Sequence, residues 1–285
     1  MFINNQTGTD RDIKRRLQRE FYVVIGDRSS VSLWQLRAQE FFPFIEEELR
    51  RRNLPDDLKF LAIAESGLVP TARSYAGAAG TWQFIRSTGA RYGLKCGASV
   101  DDRLDFERAT RSALSHLGDL FSRFKDWQLA MAAYNCGETC VARAMSEQGV
   151  NSFWDLVLPL ETERYVPRII AISYVMQHLE QCNLSLGLTA VLSGAEHTVA
   201  GSALIRAVIH IPRAMSLLEL SRLAGLTYRQ LKIDNPQIVT RVLPAGDYEL
   251  LLEKDRLKQL QFALDNIKED VLKQQKLHHP QRRRR

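Results

Sequence analysis

Residues 60–67 read Phe60-Leu61-Ala62-Ile63-Ala64-Glu65-Ser66-Gly67. Leu58, Leu61, Ala62 and Glu65 recur at three- and four-residue steps, so they share one face of a helix. Pro55 suits a first helical position, Asp56 and Asp57 its first turn, and Gly67 its stop. The shared face is apolar until its last member, a carboxylate. Burial disfavours the charged form, and the negative end of the helix acts the same way, so such a carboxyl pKa rises. A glutamate that keeps its proton near neutral pH is suited to general acid catalysis at a glycosidic bond. Taken alone, Glu-Ser-Gly fits a solvated glutamate at a helix end better.

Working outward, three further segments stand in order: Gly77-Ala-Ala-Gly80-Thr81-Trp82-Gln83-Phe84, then Ala133-Tyr134-Asn135-Cys136-Gly137, then Glu161-Thr162-Glu163-Arg164-Tyr165-Val166-Pro167-Arg168. Amides that pair with hydroxyls and aromatic rings that stack on apolar sugar faces are the side chains a glycan site needs. Trp82 and Tyr134 also suit a packed core, and Gly77 and Gly80 a turn. Asp101, Asp102 and Asp105 read as loop and capping acids. Glu138, Glu161 and Glu163 fall at helix starts, where capping and dipole roles suffice for acids. No other acid lies between Glu65 and Asp101, whereas ordinary glycosidases flank the bond with two carboxylates.

Together, over residues 41–179, the four segments resemble the lysozyme-like lytic transglycosylases of bacterial cell walls, and most of all the membrane-bound lytic murein transglycosylase D type. The resemblance implies a mainly α fold with a glycan-binding cleft. It implies that Glu65 is the single catalytic acid and base, that Ser66 orients the glutamate or the substrate, that Trp82, Gln83, Tyr134 and Asn135 bind the glycan, and that Tyr165 binds it with a hydroxyl pointed toward the glutamate and the reacting sugar. The tryptophan before Gln83 follows the D type. The implied reaction cleaves the MurNAc-GlcNAc β-1,4 bond without water and leaves 1,6-anhydro ends, with the 6-hydroxyl of the substrate as nucleophile. No cofactor and no metal is implied. A goose-type muramidase and a non-catalytic wall-binding scaffold are the competing readings.

The rest of the chain is read as follows. Residues 1–50 form an N-terminal helical extension, 51–182 the catalytic domain, and 183–201 a linker. Residues 202–254 form a β-α-α-β unit, and 255–285 a helix with a basic tail. In the extension, residues 31–52 carry Leu33, Leu36, Phe41, Phe44, Ile45 and Leu49 near a helical period, with Pro43 placed to kink or divide it. Glu46 to Glu48 and Arg50 to Arg52 read as a solvated, paired face. In the catalytic domain, helices are expected from Asp105, its cap, to Phe124, from Trp127 to Tyr134 and from Thr162 to Leu179. In the C-terminal unit, residues 205–211 and 248–252 read as strands, and 216–223 and 228–233 as short helices. The unit resembles a degenerate LysM module through Leu231 to Pro236 and Pro244 to Leu250, but Ile211 to Met215 departs from that pattern. Glycan binding and a spacer role both stay open for it.

Composition sets the outer limits. With 285 residues, 45% hydrophobic and 25% charged, the chain suits two globular domains and is not wholly disordered. No apolar run reaches the roughly 18 residues of a membrane span. The first ten residues carry no signal pattern, so the protein stays inside or the exported form has lost its signal here. A periplasmic or envelope location follows from the resemblance, with a lipid anchor not visible. The net charge of +6 draws four units from Arg282 to Arg285, so nucleic acid is not indicated. Cys96, Cys136, Cys140 and Cys182 form no Cys-x-x-Cys pair, and disulfides and free thiols both remain open. His278 and His279 belong to a polar tail. Oligomeric state, stem-peptide preference and exolytic or endolytic mode leave no mark.

Overall fold

In the computed structural model, residues 11–184 and 204–278 are described. The expected linker, apart from Asn183 and Leu184, and the tail from His279 onward lie outside the described residues. The chain divides into two units. The first holds the N-terminal part up to Cys96 and continues from Asp102, and the second holds Gly97–Asp101 and the chain from Ala190.

The first unit is helical. Its elements are α1 (Arg11–Gly26), α2 (Arg28–Arg51), α3 (Lys59–Ser66), α4 (Arg86–Arg91), α5 (Phe106–Phe124), α6 (Trp127–Cys136), α7 (Glu138–Gln148) and α8 (Leu160–Gln177). Local chemistry sets most of the ends. Asp27, Asp105 and Asp126 each accept a backbone N–H of the helix that follows, at 3.1, 3.0 and 2.9 Å. Gly67 closes α3 in the left-handed conformation.

The expected N-terminal extension is not separate. Val24, Val31, Ala38, Ile45 and Leu49 belong to the same buried core as Leu58, Leu61, Leu117 and Val166. The buried face of α2 is thus Val31, Ala38, Ile45 and Leu49, and Leu33 is exposed. Pro43 neither ends nor divides α2. It and Gln39, whose carbonyl loses its partner, both sit on the exposed side, where water can replace the missing bond. Glu48 also departs from the expected solvated face. It is buried and gathers Arg111 at 3.1 Å, with Arg52 and Arg51 farther off. A carboxylate in a core needs such partners.

The second unit is the expected β-α-α-β arrangement with an added two-residue pairing. Strand β1 (Leu204–Ile211) runs antiparallel to β4 (Gly246–Glu253), with Ile209 opposite Tyr248. Between them lie β2 (Met215–Ser216), α9 (Leu217–Leu223), α10 (Tyr228–Asp234) and β3 (Val242–Leu243), and β2 pairs with β3. Helix α11 (Lys254–His278) follows and places Leu260 and Leu264 in the unit's core. Ser216 caps α9, and Thr227 and Gln230 form a reciprocal capping box on α10. The buried Asn235 side chain clasps Leu251, accepting its N–H at 2.7 Å and donating to its carbonyl at 2.9 Å. Residues Gly97–Asp101, expected within the catalytic domain, pair instead with this unit's backbone. Asp101 N–H donates to the Gln237 carbonyl at 2.8 Å and Val239 N–H to that of Ser99 at 2.9 Å.

Candidate active site

A cleft of about 810 Å³ in the helical unit is lined from α3, the 74–85 loop, α4, α5, the α6–α7 junction and α8. Glu65 reaches it because α3 buries Leu61 and Ala62 and stops at Gly67, leaving the last carboxylate of the apolar stripe at the wall. Burial pushes the Glu65 carboxyl up to about 7. The Tyr165 hydroxyl, which donates to Glu65 Oε1, opposes that rise, as does Arg168, while the charge of Glu161 adds to it.

Helix α8 supplies Glu161, Tyr165 and Arg168 at four- and three-residue steps, so all three face the cleft. The ring of Tyr165 is buried and its phenol is held well above its usual pKa, chiefly by burial, so it stays a donor. Arg168 is steadied from behind by Glu20 of α1, which is 1% exposed and also accepts from Arg164 at 2.7 Å. The charge-dense first helix therefore supports the wall of the site, a role its sequence did not signal.

The structure sorts the other expected residues into those in the cleft and those behind it. Gln83 lines the cleft at a φ of 47°, and its Nε2 donates to the Gly80 carbonyl at 2.8 Å. Tyr134 lines it too, with its hydroxyl donating to the Trp82 carbonyl at 2.9 Å. Asn135 is oriented by Thr162, whose hydroxyl donates to Asn135 Oδ1 at 2.7 Å. Trp82 is a correction. Its ring is wholly buried and donates to the Thr110 hydroxyl at 2.9 Å, so it supports the cleft from the core and presents no face to a sugar. Ser66 also stands behind the cleft, which corrects contact with the substrate but not the expected orienting of the glutamate. Its hydroxyl donates to the Thr81 carbonyl at 2.8 Å and accepts from Val69 N–H at 3.1 Å, and it does not line the cleft. It ties the end of α3 to the 80–83 turn and so positions Glu65 through the backbone.

Several cleft residues carried no expected site role. Glu161 and Glu138 do sit in first helical turns, but both also line the cleft. Glu138 is paired with Arg123. The four-residue step from Glu161 to Tyr165 was the signal that could have placed Glu161 there. His116 of α5 and Arg91 of α4 had no such signal. The four cysteines are free thiols, and that of Cys136 is pushed up to about 12 by burial and by neighbouring Cys140. Among the described residues no group of three or more His, Cys, Asp or Glu is placed to hold a metal ion.

A half-buried acid under a tyrosine hydroxyl, in a cleft of amides and aromatics on a helical scaffold, defines a class, and residues 42–157 match the family model of the transglycosylase SLT domain. That match falls largely within the helical unit. More particularly, the chain is 33% identical over 235 residues to membrane-bound lytic murein transglycosylase D of Escherichia coli, covering 80% of this chain and 50% of that protein. The chain thus spans about half the length of this relative. It is also 40% identical over 85 residues to peptidoglycan transglycosylase gp16 of Escherichia phage T7, covering 29% of this chain and 6% of that one. Among solved structures, the soluble lytic transglycosylase Slt70 of Escherichia coli aligns with a TM-score of 0.42 at 17% identity. That alignment covers 65% of this chain and 34% of that one.

Proposed function

We propose that this chain is a peptidoglycan lytic transglycosylase, and that residues 51–182, with the helices before them, form its catalytic part. The observation that carries the reading is the Glu65 carboxyl, lifted by burial to about 7 and bonded to Tyr165 at the cleft wall. The similarity to lytic murein transglycosylase D supports it. Glu65 first gives its proton to the glycosidic oxygen as the bond between C1 of MurNAc and that oxygen breaks. The substrate's N-acetyl carbonyl stabilises the positive C1. Glu65, now a carboxylate, takes the proton of the 6-hydroxyl as O6 bonds to C1 and closes the 1,6-anhydro ring. No water enters, and Glu65 ends protonated as it began. Burial that raises the carboxyl pKa serves the first step, and the Tyr165 bond serves the second by favouring the carboxylate.

Glu161, as a second cleft carboxylate, is the observation on which a hydrolytic, muramidase reading rests. Mass spectrometry of muropeptides released from purified sacculi separates the readings. Anhydro ends are expected. Hydrated reducing ends would replace the transglycosylase by a muramidase, and absence of products would leave a wall-binding scaffold. The substrate is the glycan strand, the compartment the periplasm or cell envelope. The second unit is a LysM-like module that holds glycan or serves as a spacer. No described helix is long and apolar enough to cross a membrane.

Tyr165→Phe keeps the buried ring and removes only the hydroxyl that meets Glu65. Turnover is expected to fall at least tenfold, or about 1.4 kcal/mol of transition-state stabilisation. Thermal unfolding is expected to change by less than roughly 1.5 kcal/mol, the usual worth of one hydrogen bond. Unchanged turnover would take the hydroxyl out of the site.

A further inference from the structure

His116 lies in the middle of α5, outside all four segments that carry the family likeness, yet its imidazole lines the cleft. The ring is 7% exposed and packed among aromatics, with centroids 4.7 Å from Tyr92, 5.0 Å from Tyr134 and 6.3 Å from Phe84. Its Nδ1 is buried and has no hydrogen-bond partner. The two phenols beside it are committed elsewhere. Tyr92 donates to Asp119 at 3.0 Å and Tyr134 to the Trp82 carbonyl at 2.9 Å. Buried polar atoms are nearly always paired, so an unpaired one on a ligand cleft asks for a partner from outside the protein.

Charge narrows the partner's chemistry. Burial first, then the charge of Arg91, pushes the imidazole pKa down to about 4, with Asp119 opposing. His116 is therefore neutral near pH 7, with one N–H donor and one acceptor nitrogen. It suits hydroxyl and acetamido groups, which both donate and accept.

We propose that His116 is a binding and specificity residue, pairing with a hydroxyl or acetamido group of an uncharged sugar ring seated against Tyr134. This rests on the cleft being a glycan site. It adds to that reading a contact from α5 that none of the four motif segments supplies.

The test is steady-state kinetics on soluble glycan oligomers with His116→Phe, which keeps an aromatic ring, and His116→Gln, which restores a donor and an acceptor. For His116→Phe, KM is expected to rise about tenfold with kcat within about twofold. For His116→Gln, KM should return to within about threefold of wild type. Thermal midpoints of both variants should stay near wild type. If His116→Phe does not fold, His116→Met takes its place, with the same rise in KM expected. An unchanged KM in the variant without hydrogen-bonding groups overturns the proposal. So does a loss of kcat and thermal midpoint shared by the Gln variant, which would make His116 a packing residue. Wild-type protein that cuts no oligomer and no sacculus overturns the glycan reading beneath it, whereas active wild type with an indifferent His116→Phe overturns the His116 assignment alone.

Discussion

Glu65→Gln is expected to abolish anhydromuropeptide release while the protein stays folded. Glutamine keeps the size of the side chain and an oxygen that accepts from Tyr165, but it has no proton to give. General acid catalysis is typically worth about 10²–10⁴-fold, and here one group serves as acid and then as base, so the loss should lie at or beyond the upper end. The same substitution should reshape stability against pH. Glu65 titrates near 4.5 in an unfolded chain and about 7 in the fold, so the folded protein binds this proton more tightly. Wild-type stability from this group is fully present below about 4.5 and is lost as pH rises through about 7. Glu65→Gln removes that loss. The variant should match wild type in acid and exceed it above neutral pH by something on the order of 3 kcal/mol. Urea unfolding at pH 4 and pH 8 reads this difference directly. A Gln variant with most of wild-type turnover would displace Glu65 from the chemistry, and equal stability offsets at both pH values would contradict its burial.

Gly80→Ala is expected to cost about 4 kcal/mol or more, enough to leave the helical unit unfolded or insoluble. Gly80 has a φ of 84°, and a Cβ built there would sit 1.7 Å from the Arg103 carbonyl oxygen. That oxygen is backbone and cannot swing aside. The Arg103 side chain is itself buried and donates to the carbonyls of Gly77 and Phe84 at 2.8 and 2.9 Å, so the whole turn would have to move. Gly77→Ala is the control. Its φ is 81°, but nothing lies within 4 Å of the added atom, so only the left-handed strain of about 1–2 kcal/mol applies. Thermal melts of the two variants should differ widely. Equal melting temperatures would mean that conformation, and not the close approach of Arg103, makes glycine necessary at position 80.

Much of the scaffold was legible because it obeys local rules. The stop at Gly67, the cap at Asp105, the cap at Ser216 and the strand–helix–helix–strand order of the second unit depend on residues within a turn or two of one another. The position of Glu65 at the end of an apolar stripe is of the same kind. Periodicity places a side chain on a face, and the helix end places it at an edge.

What stands across from that edge is decided by contacts far apart in the chain, where periodicity is silent and residue type alone can mislead. Glu65 and Tyr165 are one hundred residues apart, and their bond exists only because α3 and α8 pack together. Trp82 has a side chain suited to sugars, yet Thr110 and the closing core take its ring. Ser66 has a hydroxyl suited to a site, yet Thr81 takes it. Glu48 reads as part of a solvated face, yet its side chain is buried under Arg111. Sequence alone thus determined several helices, the caps at Asp105 and Ser216 and the place of Glu65 at the end of an apolar stripe, because these follow from neighbours along the chain. Only the tertiary structure decided which polar side chains stay free for a ligand and which are consumed by the protein, because hydrogen-bond partners and burial are set by residues that meet only on folding.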